Sequence, residues 1–300
     1  MNGRAQIRTL PDGRRLHMHD GPIDLIVEAF GAPSDVARAY QAAATRFAAV
    51  LDELCAELTL LRAPFRVGNP LPVGPIARRM MDAVRPHAAR HFITPMAAVA
   101  GAVAEDILAT MVANADLARA YVNDGGDIAL HLTPGESFVA GMVECPDRLS
   151  LLGTATIDFD HSIRGIATSG WRGRSFSLGI ADTVTVLAET AAMADAAATI
   201  IANAVNLPRH PAIARVPACN LAPDSDLGKL LVTRSVAPLT PDNVSEALDR
   251  GLCEAEALRR AGLIRAAALA LQGEVRTLVS IAPPLFAARN IPCSRSLVHA

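Results

Sequence analysis

The feature that most constrains this chain is a helical segment with almost no charge. Between Thr190 and Pro208 the residues are mainly Ala, Met, Ile, Val and Leu, and Asp195 is the only ionisable side chain. A helix that is apolar all round is expected to be buried. Because an unpaired buried carboxylate costs on the order of several kcal/mol, Asp195 should be hydrogen-bonded, paired with a cation or bound to a metal.

The same segment carries a narrow polar stripe. Asp195, Thr199 and Asn203 follow one another at intervals of four residues, so they share one face of the predicted helix. The stripe has two interpretations, a face turned to solvent or a face turned to a ligand.

Composition and charge exclude several classes of partner. The chain has 300 residues and a net charge of −2, and no run of like charge is longer than an arginine pair, so we expect no nucleic acid or anionic lipid partner. The five cysteines are odd in number and scattered without a Cys-x-x-Cys pair, which predicts reduced thiols. The first 13 residues lack an apolar signal core, and the apolar window 93–104 is too short to span a bilayer, so we expect a cytoplasmic protein without a membrane span.

The order of strands and helices predicts one α+β domain over residues 1–300. Turn residues divide residues 1–30 into a β-meander, and further antiparallel strands follow in the middle of the chain. Helical periodicity predicts helices over 35–61, 76–91 and 242–271. We therefore expect mixed, mostly antiparallel sheets with packed helices, a motif-bearing core over 90–205 and a loose C-terminal tail over 283–300.

Two glycine-bearing turns are candidate anion sites. The first comprises Asn123, Gly125, Gly126 and Asp127, where paired glycines let main-chain N–H groups face a phosphate. An ordinary hairpin turn is the alternative, because Asn, Asp and Gly are the residues such a turn requires. The second turn is a cluster of Thr168, Ser169 and Gly170, which can bind phosphate or cap an element.

These two turns and the helix segment, taken in order, resemble the ApbE-like superfamily, and most closely its uncharacterised short branch. Its best-known members are FAD:protein FMN transferases, in which an Asn-x-Gly-Gly-Asp turn, a Thr-Ser-Gly turn and an Ala-Asp-Ala-x-Ala-Thr helix line one flavin site. The helix motif is matched here by residues 194–199. The resemblance covers roughly residues 90 to 205, and the three motifs together are far more specific than any one of them.

The resemblance implies a ligand, a metal and partners. Asp195 and Thr199 are implied to be Mg²⁺ ligands, a role that hard oxygens at i and i+4 can fill with water and phosphate completing an octahedron. The two turns, with Asn123, Gly125, Gly126, Asp127, Thr168, Ser169 and Gly170, are implied to bind the FAD. The implied partners are a flavin nucleotide and an acceptor protein, with a homodimer left open.

Two departures from the family pattern keep the reaction open. No lysine precedes Gly101, where the transferases carry Ala-Lys-Gly, and the short segment 176–182 replaces their His-x-x-Asp-Pro-x-Thr-Gly. One hypothesis is therefore an enzyme that transfers or hydrolyses part of FAD or a related nucleotide through Mg²⁺. The alternative is a non-catalytic flavin-binding or assembly protein. His161 precedes the second turn and is an independent candidate for acid/base work or for a structural role.

Overall fold

The computed structural model describes residues 4–145, 148–278, 286–288 and 298–299. The predicted tail, 283–300, lies outside the described residues except for two short strands. The strands are β1 Gln6–Thr9, β2 Leu16–Asp20, β3 Ile23–Gly31, β4 Leu117–Asp124, β5 Asp127–Leu132, β6 Ser137–Cys145, β7 Arg148–Asp158, β8 Gly165–Ser169, β9 Thr183–Ala188, β10 Ile213–Pro217, β11 Leu231–Val236, β12 Ala266–Leu271, β13 Glu274–Leu278, β14 Phe286–Ala288 and β15 Val298–His299. The helices are α1 Pro33–Ala56, α2 Leu58–Leu61, α3 Pro75–Val84, α4 Val99–Asn114, α5 Ala191–Ala204, α6 Ala218–Leu221 and α7 Pro241–Arg260, with a 3-10 turn at Pro95–Ala98 before α4.

A nine-stranded sheet is the main frame of the described residues. Its strand order is β1-β2-β3-β4-β5-β8-β9-β12-β13, and every neighbouring pair in it is antiparallel. A four-stranded sheet, β14-β7-β6-β15, contains the parallel pairing of β15 with β6. The predicted α+β class with mixed, mostly antiparallel sheets is therefore confirmed.

The two faces of strands β5 and β8 differ in side-chain size. The core shared with the helices receives Ala129 and Ala167 from them. The opposite face carries larger side chains that pack on β6 and β7, among them Ile128 and Ile166. Because side chains alternate along a strand, this pattern fixes which face the helices can approach closely.

Helix α5 lies on the helical side against β8, β9 and the start of α4. Its first turn is approached by two glycines: a Cβ on Gly165 would overlap the backbone of Thr190, and a Cβ on Gly101 would overlap the backbone of Ala191. The Thr190 hydroxyl caps the helix by accepting the N–H of Met193. The almost chargeless helix predicted from the sequence is thus a core helix held by backbone contact.

One helical stretch in the described residues, Pro95–Asn114, is long and apolar enough to cross a membrane by length and composition, and half of its apolar window is buried inside the protein. It packs against α1, α3, α5 and the sheet. Its Asp106 accepts hydrogen bonds from Arg46 at 2.6 Å and Arg79 at 2.7 Å, which fixes it to α1 and α3. These contacts make it a core helix of this fold.

Two predicted helix ends were wrong. The helix predicted over 242–271 ends at Arg260, because the chain turns at Gly262, whose φ is +75°, and continues as the buried strand β12. The alanine- and leucine-rich sequence of β12 suits a helix by composition, but pairing with β9 and β13 overrides that preference. The helix predicted over 76–91 ends at Val84, just before Pro86.

We expect Gly165→Ala to destabilise the protein by about 2 kcal/mol or more, because the added Cβ displaces the first turn of α5 from the sheet. Chemical denaturation monitored by circular dichroism measures this loss. The matched control is Gly173→Ala on an exposed segment, where the nearest atom to an added Cβ is 3.3 Å away. Equal stability of the two variants would contradict the close packing of α5 on β8.

Candidate functional site

The first glycine turn is a hairpin turn between β4 and β5. Asp124 and Asp127 face each other as its last paired residues, and Gly125 and Gly126 have φ values of +65° and +116°. Positive φ at both central positions is the geometry of a tight two-residue hairpin. The Gly126 N–H donates to the Asn123 side-chain oxygen at 2.8 Å, so this amide is already used within the turn. The hairpin interpretation therefore describes the backbone, whether or not a ligand binds above it.

Asp127 joins this turn to the second one. Its carboxylate accepts the N–H of Thr168 at 3.1 Å, and β5 pairs with β8 directly after it. The Thr168 hydroxyl lies 2.9 Å from the hydroxyl of Thr185 on β9. The structure thus brings the Asn-Asp-Gly-Gly-Asp and Thr-Ser-Gly motifs side by side, with Ser169 half-buried at the end of β8.

Asp195, the only carboxylate on α5, packs against the first turn of α4. Asp195 Oδ2 accepts the N–H of Gly101 at 3.1 Å, and the Ala100 N–H also donates to this carboxylate. Free N–H groups in the first turn of a helix favour a negative charge. The sequence predicts that Asp195 has hydrogen-bond donors, a cation or a metal as its partner, and the structure shows the hydrogen-bond donors. Thr199 lies one turn further along α5 and is half-buried.

Three carboxylates share this region and perturb one another. Burial, with a smaller contribution from the charge of Asp124, raises the pKa of Asp195 to about 7, although the Asp195 side chain keeps some contact with solvent. Burial followed by repulsion from Asp195 and Asp124 holds the pKa of Asp127 well above its usual range. Burial also raises the pKa of Asp124 to about 7, and that side chain is only 7% exposed. Burial is the largest cause of all three shifts, so each of these carboxyl groups holds its proton to a higher pH than usual.

The side-chain oxygens of Asp195 and Thr199 are candidate ligands for a magnesium ion. In the described part of the chain, no group of three His, Cys, Asp or Glu side chains is placed to hold a metal. Asp195 and Thr199 nevertheless offer hard oxygen atoms, and clustered carboxylates with raised pKa values are stabilised by a cation. The residues therefore fit Mg²⁺ as a partial site that water and a ligand's phosphate would complete.

The segment that follows Gly170 is fixed by Asp182. A Cβ on Gly170 would overlap the Asp182 carbonyl, which explains glycine at this point of the turn. The Asp182 carboxylate accepts hydrogen bonds from Trp171 Nε1 at 3.1 Å, Arg172 Nε at 2.7 Å and the Gln272 N–H at 2.6 Å. This carboxylate therefore anchors the segment to β12 and β13.

Two further predicted candidates have structural roles. Asn203, the third residue of the polar stripe, accepts the N–H of Leu178 at 2.8 Å, so the far end of the stripe supports a loop. His161 Nδ1 accepts the N–H of Asp158 at 3.1 Å inside its own turn, after β7. The stripe therefore divides after Thr199, and only its first two residues remain candidates for a ligand.

Sequence reasoning missed three residues around this region. Asp124 occupies the variable position of the turn motif, yet it is the least solvent-exposed of the three carboxylates. Glu105 accepts the N–H of Ala192 at 2.7 Å and so adds a second cap to α5. Arg174 lies beside Gly125. A charged residue within or next to a recognised motif was the available signal for Asp124 and Arg174, whereas nothing local to the sequence indicates Glu105.

Fold and site together define an α+β protein in which two turns and a core helix converge on a cluster of carboxylates. A family model described as "AbpE bacteria" matches residues 7–277. The chain belongs to this family, and the predicted membership of the ApbE-like superfamily is confirmed.

Curated relatives are similar over part of the chain. A UPF0280 protein of Methanopyrus kandleri is 38% identical over 128 residues, which is 43% of this chain and 48% of that protein. A UPF0280 protein of Methanothrix thermoacetophila is 38% identical over 152 residues, 50% of this chain and 59% of that protein. The matches thus span about half the length of these relatives, and their names assign no activity.

Among solved structures, a mutant of the flavin transferase ApbE from Vibrio cholerae aligns with a TM-score of 0.35 and 12% identity. The alignment covers 92% of this chain and 97% of that one.

We expect Asp195→Asn to change the stability of the metal-free protein, relative to the native protein, more favourably at pH 8 than at pH 5. The folded-state pKa of Asp195 is raised from 3.8 to about 7. An unfolded chain therefore releases this proton first, and the carboxylate destabilises the fold progressively between those values, by at most about 4 kcal/mol. Asparagine keeps an oxygen for the Gly101 N–H and removes the charge.

Melting temperatures in EDTA at the two pH values measure this effect, with the exposed Asp249→Asn as the control. A variant that melts below the native protein by the same amount at pH 5 and pH 8 would show that the ionised Asp195 stabilises the fold.

Proposed function

We propose that this protein binds FAD, or a related nucleotide, through a magnesium ion held by Asp195 and Thr199, and transfers or hydrolyses the phosphoryl or FMN part of that nucleotide. The observation that carries the proposal is the convergence of Asp127, Thr168 and Asp195. Residues from distant parts of the chain meet there, and a divalent cation would favour the ionised forms of carboxyl groups whose pKa values are raised by burial.

Each element has a defined task in this proposal. Asp195 and Thr199 supply oxygens to the cation, and the amides at the start of α4 hold the Asp195 carboxylate in position. Asp127 keeps the two turns in contact, so that both face the same ligand. When bound, Mg²⁺ would act as a Lewis acid on the ligand's phosphate groups. Membership of the ApbE-like superfamily is consistent with a flavin nucleotide as that ligand.

A second candidate is a non-catalytic protein that binds a flavin or another nucleotide, or that supports assembly of another protein. It is favoured by the segment between Gly170 and Thr183. This segment holds no histidine, and its buried Asp182 is occupied by Trp171, Arg172 and Gln272. A carboxylate held by three donors has little capacity left to act as a base.

We expect FAD to bind at least tenfold more tightly in Mg²⁺ than in EDTA, because the cation removes the repulsion between phosphate and carboxylates. Calorimetry measures the affinity, and the fluorescence of Trp171, the only tryptophan, gives a second readout beside the site. Asp195→Asn should bind FAD equally in Mg²⁺ and EDTA, while Asp249→Asn keeps the metal dependence. Absence of binding at about 1 mM flavin would overturn the proposal.

Turnover separates the two candidates. The protein is incubated with FAD, Mg²⁺ and candidate acceptor proteins, and the products are weighed by mass spectrometry. Released AMP, with or without FMN attached to an acceptor, supports the enzyme. FAD retained intact by the protein supports the binding role.

A further inference from the structure

The segment between β8 and β9 carries two arginines next to the candidate site, and the structure gives them different roles. Arg172 Nε donates to Asp182 at 2.7 Å, and its guanidinium stacks 4.6 Å from the centre of the Trp171 ring. Arg172 is thus part of the anchor that holds the segment to the sheet. Arg174 extends the other way, towards the hairpin turns at the end of the strands.

Arg174 bridges two turns of the main sheet. Its Nη2 donates to the Pro22 carbonyl at 2.8 Å, in the turn between β2 and β3. Its Nη1 lies 3.3 Å from the position that a Cβ would take on Gly125. Because glycine has no side chain there, the guanidinium reaches the backbone of the β4–β5 turn.

The charge of Arg174 has no direct counter-ion within the described residues. Its hydrogen bond goes to a neutral carbonyl, and the arginine is exposed. Asp124, buried beneath the same turn, feels the positive charge, which opposes the effect of burial on its pKa. A cation is therefore held at the turn by contacts that leave most of its N–H groups unused.

We propose that Arg174 binds a phosphate group of the ligand above the β4–β5 turn. A planar guanidinium presents several N–H donors in a fixed fork that matches phosphate oxygens. The bond to Pro22 and the absence of a side chain on Gly125 hold this fork in place before a ligand arrives, which reduces the entropy that binding loses. The proposal rests on the proposed function in one respect, that the phosphate belongs to a nucleotide.

The test compares Arg174→Gln and Arg174→Lys with the matched control Arg90→Gln, an exposed arginine after α3. Calorimetry in Mg²⁺ measures the affinity for FAD, FMN, riboflavin and inorganic pyrophosphate. Arg174→Gln should lower the affinity for FAD, FMN and pyrophosphate by about tenfold. The affinity for riboflavin, which lacks phosphate, should stay within about twofold of the native value. Arg174→Lys should lose less affinity for the phosphate-bearing probes, because lysine keeps the charge but lacks the planar guanidinium. Arg90→Gln should bind all four probes as the native protein does.

The outcomes separate this inference from the proposed function. If pyrophosphate binding depends on Arg174 and no flavin binds, the flavin proposal fails and the role of Arg174 stands. If FAD binds equally to the native protein and to Arg174→Gln, the role of Arg174 is overturned and the flavin proposal stands. An equal loss for riboflavin and the phosphate ligands, with a lowered melting temperature, would make Arg174 a structural clamp and also overturn the inference. Binding of none of the four probes overturns both.

Discussion

The close approach of helix α5 to β8 and to α4 is the constraint on which the site depends. Gly165 and Gly101 leave no side chain between these elements, so the backbone at Thr190–Ala191 lies directly against both. This contact fixes the rotation of α5 and places Asp195 against the first N–H groups of α4. A wider separation would leave a buried carboxylate without its donors.

The same arrangement explains the electrostatics of the site. Antiparallel pairing of β5 with β8 carries Asp127 to the N–H of Thr168, and α5 crosses on the helical side of that sheet. Hydrogen bonds to Asp127 and Asp195 favour their charged forms, while burial and mutual repulsion favour their protonated forms. Burial prevails and favours the protonated carboxyl groups, whereas a bound divalent cation would favour their ionised forms. Arg174 supplies positive charge at the turn beside it.

Much of the fold could be predicted from local sequence. Turn residues at Pro11-Asp12-Gly13 and Asp20-Gly21-Pro22 correctly separate β1, β2 and β3. The run 181–187 is rich in Val and Thr, which predicts a strand, and the structure has β9 there. The prediction was wrong for residues 266–271, because alanine and leucine suit either structure and only the neighbouring strands made this segment β12. That residues 1–300 form a single domain stays a prediction.

The residue pattern alone indicates two glycine-bearing turns and a buried helix, because turn geometry and burial restrict the residue types at those positions. That these motifs line one site is what the resemblance to the ApbE-like superfamily implies. The sequence by itself also determined that Asp195 needs a partner, since an isolated buried carboxylate is too costly. Tertiary contacts supply the hydrogen-bond donors for Asp195 and bring Asp124 and Asp127 close to it. They also give Asn203 and His161 their roles in loops and place Arg174 over Gly125. The physical reason is that these contacts join segments far apart in the chain, whose distances follow from sheet order and helix packing rather than from local preference.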